Sequence, residues 1–186
     1  MNRKKIIVGV AVAALVVFVA AWAIAPVLAA QSLVRAAKAG DERRIESLVD
    51  FPSLRTSLKE ELNAALIERM RRDPRVVESG LGGLGMMLAP MLLSGAVETL
   101  ITPEVVADMV VTAEAPDPAR PSDPDPADKR DTDDIHQSWG YRSLNEFAVT
   151  LTDRDRPDDR LALIMVRYGL FDWKLAAVDL QSGRAA

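Results

Sequence analysis

A run of twenty residues without a charge, residues 6–25 (IIVGVAVAALVVFVAAWAIA), constrains this chain more than any other feature. At 1.5 Å per helical residue it extends about 30 Å, the thickness of a bilayer's hydrocarbon core. Arg3, Lys4 and Lys5 precede it, and Trp22 lies toward its far end, where an indole favours the interface. Such a run is a single membrane-spanning helix or a secretory signal peptide. Val27, Leu28 and Ala29 offer a small-residue cleavage site. Against cleavage, the stretch exceeds the roughly 7–15 residues of a signal's hydrophobic region. An uncleaved anchor contacting the membrane from Ile6 to Ala25 is therefore expected. Four basic residues follow closely, Arg35, Lys38, Arg43 and Arg44, so counting charges does not by itself fix the orientation. The short basic tail ahead of a first apolar helix has the form of a signal anchor. The expectation is a single pass through the inner membrane with the remainder on the periplasmic or extracytoplasmic side. Secretion after cleavage is the alternative.

The remaining composition mostly excludes. The chain's 186 residues suit one domain plus an extra segment. It has no cysteine, hence no disulfide framework, thiol nucleophile, thiolate metal site or lipidated N-terminal cysteine. A single histidine excludes a multi-histidine metal cage. The net charge of −4 gives no case for nucleic acid. No cofactor, metal or nucleic-acid partner is expected.

Residues 1–26 form the anchor or signal segment, 27–180 one α+β domain and 181–186 a tail. Within the domain, 27–112 read as helices. Residues 31–39 form a short helix closed by Gly40, Asp41 caps the next helix, and Ile45, Leu48 and Val49 are its buried side. Asp50 and Pro52 open a further helix, in which Leu54, Leu58, Leu62, Leu66 and Met70 make an i, i+4 stripe until Asp73 and Pro74 end it. Residues 81–97 carry no charge. They read as a core or partner-facing helix, or as a second or re-entrant membrane segment. Thr102 caps a short helix running through Val110, with Pro103 in its first turn. Residues 113–137 hold five prolines and a net charge of −5, which predicts an extended solvated loop and leaves the rest of the chain at +1. From residue 138 to 180 the period changes to two. Phe147, Val149 and Leu151 alternate with smaller or polar residues, residues 160–168 suit a strand buried on both faces, and residues 173–180 suit another. The fold class is α+β: an N-terminal transmembrane helix, then helices packed on a three- to four-stranded antiparallel meander, its optional first strand near Trp139 to Arg142.

Several motifs suggest chemistry, and most read better without it. Residues 80–85 spell G-x-G-x-x-G but lack the strand before and the uninterrupted helix after that a dinucleotide site needs, so they read as a glycine hinge. Thr56 to Lys59 approaches S-x-x-K, with threonine where the nucleophilic serine belongs. The aspartates between Asp123 and Asp134 miss the EF-hand spacing, and His136 has no evident catalytic partner. Arg55 and Lys59, one turn apart, read as a solvated face or as an anion or headgroup contact. Met86, Met87 and Met91, with Leu92, make a soft apolar surface that fills a core or lines an adaptable groove. Glu98 ends this segment as a solvated terminus or as a paired carboxylate. Trp173 and Phe147 are expected as core anchors.

Ala39-Gly40-Asp41 followed by Val49 to Lys59 (VDFPSLRTSLK) resembles the pattern A-G-D … V-D-F-P-x-L-R-x-S-L-K of small bacterial envelope proteins grouped as domain-of-unknown-function family 2939. Gly169 to Leu175 (GLFDWKL) is similar to that family's closing G-L-x-x-W-K-L, a weaker motif. The resemblance covers about residues 27–180. It implies an N-terminal anchor and no established activity. The helix-then-sheet layout is also similar, at fold level only, to nuclear-transport-factor-like domains, which often hold an apolar pocket.

Together these readings lead to a non-enzymatic, membrane-anchored envelope protein. It is expected to bind an apolar or lipid-like ligand, or a protein partner, through Met86, Met87, Met91, Leu92, Glu98, Arg55 and Lys59, between the 81–101 segment and the meander. A scaffold for another membrane protein is the alternative. A carboxylate-dependent enzyme using Asp50, Glu98 or Asp172 comes third.

Overall fold

A computed structural model of the chain describes residues 3–72, 95, 97, 101–112, 135–153 and 159–182. Its helices are α1 (Arg3–Ala39), α2 (Glu42–Leu48), α3 (Phe51–Arg72) and α4 (Pro103–Thr112). Its strands are β1 (Ile135–Ser143), β2 (Glu146–Asp153), β3 (Asp159–Arg167) and β4 (Trp173–Ser182). The strands form one antiparallel meander in the order β1-β2-β3-β4. The class is α+β, as the change of hydrophobic period from helical to two predicts.

Helix α1 departs from the expected layout. The apolar run and the short helix at 31–39 are one helix of 37 residues, unbroken at the 26/27 division. Pro26 offers no amide to the Trp22 carbonyl, yet the helix continues through it. One residue on, the Tyr141 hydroxyl donates to Ala23 O at 2.9 Å and ties β1 to this part of α1. The N-terminal part is exposed along its apolar length, whereas Ala25, Ala30, Leu33, Ala36 and Ala37 are buried. The alanines let α4 and the sheet approach α1 closely. Gly40 then stops the helix at φ +63°, and Asp41 caps α2 by accepting from Arg44 N at 3.1 Å.

The core lies between one sheet face and the helices. Phe147, Val149, Leu151, Leu161, Leu163, Met165, Trp173 and Leu175 meet Leu33 of α1, Ile45 of α2, Leu54 and Leu58 of α3 and Val106 and Met109 of α4. Val97 and Ile101 join them. The leucine stripe is thus buried at Leu54 and Leu58 and half-buried at Leu62, while the side chains of Leu66 and Met70 lie outside the described set. On the opposite face Ala148, Ala162 and Ile164 form a small second cluster, so β3 is buried on both sides as its continuous apolar run predicts. Arg142 and Asp179 pair at 2.8 Å. The first strand is fully formed and begins at Ile135, inside the segment read as loop, because pairing of Ile135, His136 and Gln137 with β2 overrides their polar neighbourhood. The rest of that acidic stretch, 113–134, lies outside the described residues.

The free edge of β4 is closed by side chains of α3. Ser57 Oγ donates to Val178 O and accepts from Val178 N, both at 3.0 Å, as a neighbouring strand's backbone would. Glu61 Oε2 accepts from Leu180 N at 3.2 Å. Just ahead, Val49 forms a parallel bridge with Leu175, and Asp50 N donates to Leu175 O at 2.8 Å. An open edge would be a template for association with another chain. Replacing Ser57 by Ala strands both Val178 backbone groups. It should cost about 1–3 kcal/mol, the usual penalty for unsatisfied buried partners. Urea unfolding of the full chain in detergent would measure that loss, and hydrogen exchange at the Val178 amide should accelerate.

Candidate functional site

The residues that carry the family resemblance come together at one place. Asp50 begins α3 as its cap, accepting from Ser53 N at 3.3 Å and from Ser53 Oγ at 2.8 Å. Its second oxygen also accepts a short hydrogen bond from the Tyr168 hydroxyl, which projects from the end of β3. Tyr168 N and Gly169 N donate to Asp172 O at 2.9 and 3.4 Å, closing the turn that leads into β4. Trp173 and Leu175 then descend into the core. VDFPSLRTSLK and GLFDWKL are therefore two sides of one joint, tied by the Val49–Leu175 bridge and the Asp50–Tyr168 bond.

Electrostatics follow from these contacts. The Tyr168 hydroxyl holds the Asp50 carboxyl below its ordinary value, against an opposing effect of burial, with help from Ser53 and the Lys174 charge. The same bond raises the Tyr168 phenol, since its proton is the one shared. Lys174 Nζ stands 6.0 Å from the Tyr168 ring centroid. Asp50 is thus engaged on both oxygens in structural bonds. Among the described residues no three His, Asp or Glu side chains gather as metal ligands.

Arg55 differs from the reading of a solvated face. It is half-buried, Nη2 donates to Ile101 O at 3.0 Å, and the guanidinium lies 5.6 Å from the Phe51 ring centroid. The long side chain crosses from α3 to the backbone ahead of α4, where Thr102 caps the helix through Val105 N at 3.4 Å. Lys59, a turn further, is also half-buried. Met86, Met87, Met91, Leu92 and Glu98 lie outside the described residues, as does the glycine motif at 80–85. Their neighbours Val97 and Ile101 are each 1% exposed, so that end of the apolar segment enters the core. His136 is exposed on β1, and Asp172 is exposed in the turn.

Among the described residues, open grooves flank the sheet. One of about 460 Å³ is lined by Asn145, Val166, Arg167, Tyr168, Gly169 and Leu170. Another, about 330 Å³, is lined by Gln31, Val34 and Arg35 of α1 with Gln137 and Trp139 of β1. Sequence reading missed this second contact area of α1. Trp22 stacks on Tyr141 at 6.3 Å, Arg167 lies over Trp22 at 5.3 Å, and Phe18 meets Phe171 edge-on at 5.7 Å. The clustering of aromatics in residues 139–173 was the available signal, but nothing in it identified α1 as their partner.

A family model described as protein of unknown function (DUF2939) matches residues 15–109. No curated protein and no solved structure matches the chain, so the likeness to nuclear-transport-factor-like domains is without a structural neighbour to support it.

Replacing Asp50 by Asn keeps a capping oxygen but removes the charge. Tyrosinate absorbance should then show the Tyr168 phenol titrating closer to its ordinary value than in the parent. Asp50 has a lowered folded value, so its contribution to stability is full at neutral pH and disappears as pH falls through that value. Tyr168 has a raised one, so its contribution holds below the free phenol's range and is lost as pH climbs through the folded value. Stability should accordingly fall at both ends, and Tyr168→Phe should flatten both declines.

Proposed function

We propose that this chain, which belongs to the DUF2939 family of proteins of unknown function, is a membrane-anchored binding domain whose anchor stays attached. The observation that supports this most is the continuity of α1. Its first part exposes Ile6, Val10, Leu15, Val17 and Val19, and its second part buries Leu33, Ala36 and Ala37 with no break between. Cleavage behind Val27-Leu28-Ala29 would cut the helix beside buried Pro26 and Ala30 and remove the Trp22 and Ala23 contacts with Tyr141. A signal peptide is normally dispensable to the fold it exports, whereas this segment is part of it.

The domain faces the extracytoplasmic side in this reading, with the basic residues at positions 3–5 retained inside. Its role is binding rather than catalysis: Asp50 is engaged by Ser53 and Tyr168. The occupant is an apolar or lipid-like molecule, or a membrane-protein partner, held by the 81–101 segment with Met86, Met87, Met91, Leu92 and Glu98. Entry of Val97 and Ile101 into the core beside the sheet supports that location.

With a tag behind Ala186 and expression in bacterial cells, the protein should resist alkaline extraction from membranes. Its intact mass should include residues 6–25, and added protease should remove the tag from spheroplasts. A soluble product lacking residues 1–29 would sink the anchor reading, and a tag protected until the membrane is broken would reverse the orientation.

A further inference from the structure

The meander places its β1–β2 and β3–β4 turns at the same end of the sheet. Arg167 N donates to Asn145 O at 3.0 Å, and the Arg167 guanidinium holds Asn145 Oδ1 at 3.1 Å through Nε, so the two turns are joined. This end carries exposed apolar side chains: Leu144 is 70% exposed, Leu170 62% and Phe171 48%. Among the described residues outside α1, the exposed large apolar side chains other than Ile67 all lie on β1 or in these turns. The connection at the opposite end of the sheet, residues 153–159, reads DRDRPDD. The asymmetry is that of a surface with an apolar side and an aqueous side.

The position of these turns along α1 shows what faces them. Phe171 touches Phe18, seven residues before Ala25. Seven helical residues rise about 10 Å. If residues 6–25 cross the hydrocarbon core, the β3–β4 turn therefore lies about 10 Å toward the bilayer from the end of the span. Interfacial protein segments bury their apolar faces about 5–10 Å deep. Backbone amides at this depth need partners, and Tyr168 N and Gly169 N already have theirs in Asp172 O. Arg167, spread over the Trp22 ring, is positioned to keep its charge at headgroup level.

We propose that Leu144, Leu170 and Phe171 form a second membrane-contact surface, inserted into the leaflet through which α1 leaves the bilayer. The domain thus rests on the membrane with the β1–β2 and β3–β4 turns immersed and the opposite end of the sheet, where β1 begins, directed away. The occupant is the acyl region of a lipid bilayer. This inference rests on the anchor reading.

The chain has no native cysteine, so single labels are clean. Full-length variants Val12→Cys, Leu144→Cys, Leu170→Cys and His136→Cys would each carry an environment-sensitive fluorophore. They would be reconstituted in phosphatidylcholine vesicles with a minor share of phosphatidylglycerol, containing lipids spin-labelled at shallow or deep acyl positions. His136 serves as the distant control, since it is exposed at the start of β1, eight strand residues or about 26 Å from Leu144, where β1 runs beside Gln31, Val34 and Arg35 of α1. Labels at Leu144 and Leu170 should lose emission to the shallow quencher, the Val12 label to the deep one, and the His136 label to neither. If the Leu144 and Leu170 labels behave like His136 while Val12 is quenched, the second surface is refuted and the anchor stands. An unquenched Val12 label would overturn both.

Discussion

Everything else in this structure depends on a single helix that cannot bend freely between its two environments. Helix α1 is apolar and largely exposed from Ile6 to Ile24 and two-sided beyond, with Ala25, Ala30, Leu33, Ala36 and Ala37 buried and Gln31, Arg35 and Lys38 exposed. A flexible linker would let the domain tumble beneath its tether. A continuous helix instead fixes the orientation of the sheet relative to the apolar segment. Trp22, Ala23 and Phe18 reinforce that orientation through Tyr141, Arg167 and Phe171. The only residue in α1 that conflicts with helix geometry, Pro26, is buried where a tyrosine hydroxyl serves the neighbouring carbonyl.

The residues shared with the family pattern acquire a physical meaning from this arrangement. Val49 bridges β4, Asp50 caps α3 and receives Tyr168, Leu54 and Leu58 fill the core, Arg55 spans to Ile101, and Ser57 completes the hydrogen bonding of Val178. Each has a structural task in joining α3 to the sheet or, for Arg55, to the backbone ahead of α4. Resemblance concentrated in such residues identifies how the chain is folded, while leaving what it binds to less constrained parts of the surface.

Much of the fold was legible because its signals are local. The caps at Asp41, Asp50 and Thr102, the stop at Gly40, the stripe through Leu54 and Leu58 and the alternation at Phe147, Val149 and Leu151 each depend on residues within a turn or two. What escaped was non-local. Nothing near Pro26 reveals that Tyr141, far along the chain, bonds the helix backbone at Ala23. Ser57 and Glu61 read as ordinary polar residues of a helix surface until β4 is seen alongside. The bond of Arg55 escaped for the same reason, since its acceptor is a backbone carbonyl 46 residues away. Of the residues expected to bind a ligand or partner, only Arg55 and Lys59 fall in the described structure.

The closure of β4 by α3 works because two different rulers nearly agree. Four residues of helix advance about 6.0 Å, and two residues of strand about 6.6–6.8 Å. Ser57 and Glu61 therefore keep step with Val178 and Leu180, side chain by side chain. The mismatch grows by more than half an ångström with each repeat. At the next coincidence the helix presents Ala65, which has no polar group to offer, and the strand has reached its last residue, Ser182. A helix can imitate a strand's edge only over a few intervals, so the length of β4 that needs protection and the stretch of α3 able to protect it are matched by geometry, like a vernier read at its one aligned mark.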